Sequence, residues 1–237
     1  MPVSSAPQSA SRPDAVREPG RRELNRAATR AAIIDAAISL VLEHGRDHVN
    51  VEQIAEHAGV SRRTFFNYFP GIDAALNAPT EDLLVKARQQ IENRPADESV
   101  IDVVMQVFSS SVTSSYLQQC LELAAALDGH AEFLQYELMA WDEAESRFVT
   151  ALQQRAPEGM PRIRLVVFVA SVLASCRATI NVWLGERHQG AAAIGAADSS
   201  RTHVPFAGAA LTDADLINLK DQLLEAVKTV RDGYQDL

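Results

Sequence analysis

Between Val51 and Phe69 the apolar residues keep helical spacing, break, and resume. Val51, Ile54, Ala55 and Ala58 fall on one face of a short helix. Asn50 is placed to cap it, with Gln53 three residues later completing a capping-box pattern. Gly59 ends the helix, because glycine enters the left-handed region at little steric cost. Val60 is an apolar plug for the corner, and Ser61 caps a second helix whose Phe65 and Phe69 lie one turn apart. Pro70 closes that helix, since a proline pushes the residue before it out of the helical region. Two short helices joined by a glycine turn predict a helix-turn-helix, with the second helix as the one that enters the major groove.

The same 3.6-residue period runs through the rest of the chain. Upstream, Ala27, Ala31, Ile34, Ile38, Val41 and Leu42 form a stripe on a predicted first helix, Arg22–His44. A linking helix starts near Ile72, and Pro79 is expected to kink or interrupt it, with Thr80 as a fresh N-terminus. Further helices are predicted over Ser99–Ser115, Tyr116–Leu127 (ended by Asp128-Gly129), His130–Arg155 and the strongly apolar Arg162–Arg187. His188–Ala210 is rich in Gly, Ala and Ser and lacks periodicity, which predicts a long loop. Thr212 caps a last helix to Tyr234, with a stripe of Leu216, Leu219, Leu223, Val227 and Val230. No strand pattern and no internal repeat is visible, so the fold class expected is all-α.

Composition sharpens this picture in two places. Residues 1–20 combine Pro, Ser, Ala and Arg without periodicity and read as a disordered arm. The net charge of −9 is unusual for a DNA binder, but residues 1–80 hold nine Lys/Arg and nine Asp/Glu. The acidic excess therefore lies entirely in the remainder, which DNA repels, turning the other end toward the duplex. Met1–Gly20 has no apolar core of the secretory kind, and the apolar run Leu165–Ala174 is too short to span a bilayer. A cytoplasmic protein without a membrane partner is expected. Cys120 and Cys176 lack metal or redox spacing and read as core residues.

Residues 29–77 resemble the DNA-binding domain of the TetR family of bacterial transcription regulators. The resemblance rests on TRAAIIDAAISLVLEHG, VEQIAEHAGVSRRTFFNYF and PGIDAAL, in that order. It implies a three-helix helix-turn-helix domain at 21–77, then a larger helical ligand-binding and dimerisation domain at 78–237. It also implies a homodimer through the last two long helices, a double-stranded DNA operator and a small-molecule effector. Two positions depart from the family pattern. Phe66 stands where a tyrosine usually reaches a phosphate, and Ile72 stands where a lysine usually does. Both departures predict a weaker salt-dependent contribution to DNA affinity.

The candidate DNA contacts are Asn50, Ser61, Arg62, Arg63, Thr64, Asn67 and Tyr68, with Arg26 and Arg30 on the first helix. Arginine pairs bidentately with guanine and asparagine with adenine, although a merely solvated helix face carries the same residues. For an effector, Met105, Phe108, Tyr116, Phe133, Tyr136 and Trp183 are candidate walls of an apolar cavity, and Arg177 with Asn181 a polar pair to orient a ligand. The plain alternative is that the aromatics are core and Arg177 is a surface residue. No phosphate loop, nucleophile elbow or metal-ligand cluster is visible, so no catalytic residue, metal or cofactor is assigned. The function expected is a homodimeric, ligand-released repressor on a palindromic operator. The alternative is a partner-controlled or structural DNA-binding protein with no small-molecule effector.

Overall fold

The structure, a computed structural model, describes residues 20–127, 130–192 and 211–233, without the side chains at 125, 181, 184, 185 and 187–192. All regular structure among the described residues is helical. The helices are α1 (Arg21–His44), α2 (Val51–His57), α3 (Arg62–Tyr68), α4 (Ile72–Asn93), α5 (Val100–Ser111), α6 (Ser114–Ala126), α7 (Ala131–Gln153), α8 (Arg162–Ala192) and α9 (Asp213–Gly233). A 3-10 turn, Arg46–His48, joins α1 to the segment before α2.

Local chemistry explains most of these boundaries. Asn50 accepts the Gln53 amide at 2.9 Å, and the Gln53 side chain accepts the Asn50 amide at 2.9 Å, closing a reciprocal cap on α2. Gly59 sits at φ 66°, where a side chain would be strained, and frees the chain to turn into α3. Ser61 accepts the Thr64 amide at 3.0 Å, and Ser99, Thr113 and Thr212 cap α5, α6 and α9 in the same way. The Thr113 cap places the α5/α6 break before Ser114, earlier than the break predicted after Ser115.

Two further expectations are corrected. Pro79 neither ends nor interrupts the linking helix: α4 is continuous, and the 77/78 domain boundary falls inside it. The lost N–H donation from residue 79 is tolerated because Ala74, Ala75, Leu76, Asn77, Ala78 and Thr80 are all buried, so packing holds the turn that propensity disfavours. α8 runs to Ala192, five residues into the predicted loop; the rest of that loop, 193–210, lies outside the described residues, as do 1–19 of the arm and the Asp128-Gly129 stop.

Two apolar cores result. One gathers Ile33, Ile34, Ile38 and Val41 of α1, Ile54, Phe65, Phe69, Ile72 and Leu76, and also Leu123 and Leu127 of α6 and its end and Phe133 of α7. The stripe of α1 is therefore shorter than predicted, and Ala27, Ala31 and Leu42 are exposed because no helix covers them. The other core packs α4, α5, α7, α8 and α9, including Val103, Phe148, Leu165, Phe168 and Leu219. Arg155, just beyond α7, donates to the carbonyls of Glu92 (3.2 Å), Arg94 (2.5 Å) and Pro95 (2.5 Å), closing the C-terminal end of α4 from sixty residues away.

Candidate nucleic-acid interface and interior cavity

The outward side of α3 is built from residues its core side cannot use. Phe65 is fully buried and meets Phe69 at 6.2 Å between ring centroids, which fixes the roll of the helix. Arg62, Arg63, Phe66 and Asn67 then face solvent, and Thr64 and Tyr68 are half-buried. Arg62 is already engaged: its Nε lies 2.9 Å from a Glu52 carboxylate oxygen, and its guanidinium stands 5.4 Å from the Phe66 ring centroid. Phe66, lacking a hydroxyl, thus serves as the platform for a neighbouring arginine. Asn50 and Ser61 spend their side-chain oxygens as helix caps.

On α1, Arg26 is exposed, whereas Arg30 is turned inward. It pairs with Asp82 of α4 at 2.6 Å and lies 5.5 Å from the Phe69 ring centroid. Arg30 therefore clasps α1, α3 and α4 together. Ile72 is also inside, 7% exposed and packed in the first core. The position expected to stand in for a phosphate-reaching lysine is a packing position here. A bidentate pair occupies the same corner: Arg46 donates to Asp73 at 3.1 and 2.6 Å, and the Asp73 side chain is 6% exposed. The hydrogen bond from Asp73 holds the Arg46 guanidinium above its ordinary range, against the opposing effect of burial. Twenty-seven residues separate the two, and no local sequence signal connects them.

At the other end of α4 an apolar cavity of about 170 Å³ opens between α4, α5, α6, α7 and α8. Its walls include Leu84, Phe108, Tyr116, Trp141, Phe148, Phe168 and Leu223. Tyr116, Cys120 and Glu137 supply polar atoms on one side, and the Tyr116 hydroxyl lies 3.4 Å from Thr80 of α4. Burial pushes the Tyr116 phenol well above its usual value and the Cys120 thiol up to about 11, and the Glu137 charge pushes both in the same direction. Burial likewise raises Cys176, on the opposite wall, to about 12.

Of the eight expected effector residues, Phe108 and Tyr116 are in this wall. Met105 packs partly buried against the same core. Phe133 and Tyr136 belong to the first core instead, because the start of α7 leans on α1 and α4; Asn77 donates to the Tyr136 carbonyl at 3.3 Å. Trp183 donates to Asn218 at 3.1 Å and joins α8 to α9. Arg177 is exposed on the far side of α8, and the Asn181 side chain lies outside the described residues. The sequence reading missed Trp141, Phe148 and Phe168 as cavity walls, which share a helical face with residues it did single out, and missed Glu137, whose inward position depends on how α7 is rolled. Among the described residues no group of three potential metal ligands is gathered.

A helix-turn-helix with free arginine and asparagine on its second helix, mounted on a helical body by one continuous helix, is the build of a DNA-binding regulator. A family model described as bacterial regulatory proteins of the tetR family matches residues 33–78. The regulator TcmR of Streptomyces glaucescens is 33% identical over 90 residues, 38% of this chain and 40% of its own length. EthR of Mycolicibacterium smegmatis is 28% identical over 145 residues, 57% of this chain and 66% of its own length. The chain thus spans less than two thirds of either relative. Among solved structures, FadR of Thermus thermophilus, in complex with lauroyl-CoA, has a TM-score of 0.51 at 19% identity, covering 86% of this chain and 94% of that one. SmeT, in complex with triclosan, has a TM-score of 0.51 at 18% identity, covering 87% and 91%. Residues 33–78 are thus similar to the DNA-binding part of the tetR family, and the chain as a whole shares the helical fold of these regulators.

Proposed function

We propose that this protein is a cytoplasmic homodimeric repressor, with residues 21–77 reading an operator and residues 78–237 sensing a small apolar or amphipathic effector and forming the dimer. The observation that carries this reading is the continuity of α4: its first turns share one core with Phe65 of α3, and its later turns, at Leu84, Ala87 and Ile91, form a wall of the cavity. A ligand that reshapes the cavity therefore acts on the rod that sets the angle of the recognition helix. An apolar cavity, rather than a filled core, favours an effector over control by a protein partner.

The dimer is supported by apolar surface that the single chain leaves uncovered. On α8, Ile163, Val167, Ala174, Ala178 and Val182 follow one another at helical spacing and are exposed, as is Ile217 on α9. The stripe predicted to pair subunits, Leu216, Leu219, Leu223 and Val227, is instead inside the chain's own core. The apolar part of α8 is also longer than the sequence reading gave: Arg162–Ile180 is 19 residues of mean hydropathy 1.8, enough by length and composition to cross a bilayer, and 28% of it is buried. Its inward side packs on α7 and α9 through Leu165, Phe168, Val169 and Val172, which suits a helix shared between two protein cores. A symmetric pair would set two recognition helices about 34–36 Å apart, or a multiple of that, and read a near-palindrome.

Selection from random DNA tests the reading. The wild type should enrich two inverted half-sites, and the Arg62→Ala/Arg63→Ala variant should lose that preference. An identical preference in both proteins would show that α3 does not read bases.

A further inference from the structure

The cavity wall is rich in aromatic faces and holds one hydroxyl whose hydrogen bond is unmade. Phe108, Tyr116, Trp141, Phe148 and Phe168 supply the faces. Most polar groups of the wall are engaged: the Tyr116 hydroxyl donates to Thr80 at 3.4 Å, the Cys120 thiol bonds to Tyr116, the Cys176 thiol to Ser175, and Glu137 also interacts within the protein. Ser111, in the last turn of α5, differs: its hydroxyl oxygen is buried and has no hydrogen-bond partner among the described residues. A serine or threonine in a helix commonly returns its hydroxyl to the carbonyl four residues back, as Thr150 does to Ser146 at 3.0 Å and Thr179 to Ser175 at 2.9 Å. For Ser111 that carbonyl belongs to Val107. It receives the helical N–H of Ser111 and, at 3.1 Å, the Ser110 hydroxyl, which together occupy its two lone pairs. The Ser111 hydroxyl is therefore a buried donor in an apolar wall, and such a group is costly to leave unmet.

We propose that the cavity takes a compact aromatic ketone or ester, its ring against the aromatic faces and its carbonyl oxygen accepting from the Ser111 hydroxyl. The inference rests on the effector reading above and deepens it. Size sets the word compact: a dry apolar cavity of about 150 Å³ holds a benzene ring, and about 170 Å³ holds a ring with a short substituent. A count of donors and acceptors sets the polar group. Ser111 brings one O–H, and a ketone or ester brings an acceptor and no donor, so the pair is balanced. An alcohol brings a second O–H, and one of the two hydrogens is then left without an acceptor. A hydrocarbon leaves Ser111 unmet. Val112 and Thr113 alone separate Ser111 from α6, so a ligand held there lies at the α5/α6 corner, on whose far side Tyr116 reaches Thr80 of α4.

The test uses the full chain at pH 7 and three probes of one shape, acetophenone, 1-phenylethanol and ethylbenzene, with affinities read by calorimetry. The wild type should bind acetophenone about three- to tenfold more tightly than 1-phenylethanol, from which it differs by two hydrogens. Ser111→Ala should weaken acetophenone by a similar factor while ethylbenzene holds or improves. Ser110→Ala, which removes an exposed hydroxyl bonded to Gln90, should leave the acetophenone and ethylbenzene affinities unchanged. A wild type that binds 1-phenylethanol as tightly as acetophenone would overturn the proposal and leave the effector reading standing. So would an unchanged acetophenone affinity in a folded Ser111→Ala, or binding of ethylbenzene without acetophenone. Binding of none of the three would overturn the effector reading and this proposal with it. The wild-type order is decisive even if Ser111→Ala does not fold.

Discussion

Arg62 and Arg63 are neighbours with different circumstances. Arg62 must leave Glu52 to meet a base, whereas Arg63 carries no ion pair among the described contacts and enters DNA without a competing partner. Arg63→Ala should cost about 1–3 kcal/mol on the operator and relax one or two base positions. Glu52→Gln should tighten DNA binding by freeing Arg62, as a filter or anisotropy titration would show. Ile72→Lys, which on family grounds alone would gain a phosphate contact, should instead destabilise the protein. Taking a buried isoleucine down to alanine costs about 2–5 kcal/mol, and a lysine adds an ammonium to desolvate. A lower melting temperature with an unchanged salt dependence of DNA binding is the expected result. Cys176, 7% exposed, supplies a pH dependence. Its thiol ionises near 9.0 in the unfolded chain and at about 12 when folded. Between those values the folded state holds the proton that the unfolded state has released, so stability is complete below pH 9.0 and falls as pH rises toward about 12. The slope from one such thiol reaches about 1.4 kcal/mol per pH unit, so between pH 8 and pH 10 wild type should lose about 1 kcal/mol more than Cys176→Ala in denaturant titrations. Caps such as Asn50, Ser61 and Thr212 were legible because donor and acceptor lie three residues apart. Arg46–Asp73 and Arg30–Asp82 were not, because the partners lie 27 and 52 positions apart and any of several carboxylates suits an arginine.

Among the helices, α4 is where local preference and tertiary packing disagree most. A proline in a helix interior removes one hydrogen bond and crowds the preceding turn, at about 3 kcal/mol in an isolated helix. Here the same turn holds buried Asn77 and Thr80, and Thr80 meets Tyr116 of the cavity. Pro79→Ala restores an N–H to the turn and should raise the melting temperature by several degrees, while blunting the response of DNA binding to effector. Higher stability with an undiminished response would place the coupling elsewhere. α6 starts two residues before its predicted first residue, and the signal was present: the Thr113 hydroxyl accepts the Tyr116 amide at 3.2 Å and caps the helix. Thr113→Ala should cost about 1 kcal/mol and loosen the Tyr116 side of the cavity. The end of α8 was misjudged for the opposite reason: Gly, Ala and Gln after Arg187 carry no periodic pattern, and the helix continues there without one.

Across the whole chain, helix order and the position of the helix-turn-helix were legible because each amphipathic stripe reports its own burial. Which stripe serves the chain's own core and which stays exposed was not, since both are apolar at the same period. Leu223 lines the cavity, so a charge there would damage folding and say little of assembly. Val167→Asp, on exposed surface, should leave the monomer folded and shift sedimentation at micromolar concentration from dimer to monomer, with loss of operator binding. The two cores also share helices: Leu123, Leu127 and Phe133 close the core beneath the helix-turn-helix from far downstream. A nascent chain leaves the ribosome N-terminus first, so α1, α2 and α3 are made long before their last packing partner. The core beneath the helix-turn-helix is therefore complete only once Phe133 has cleared the exit tunnel, and a chain cut short before that point should be less stable than the intact protein at its N-terminal end.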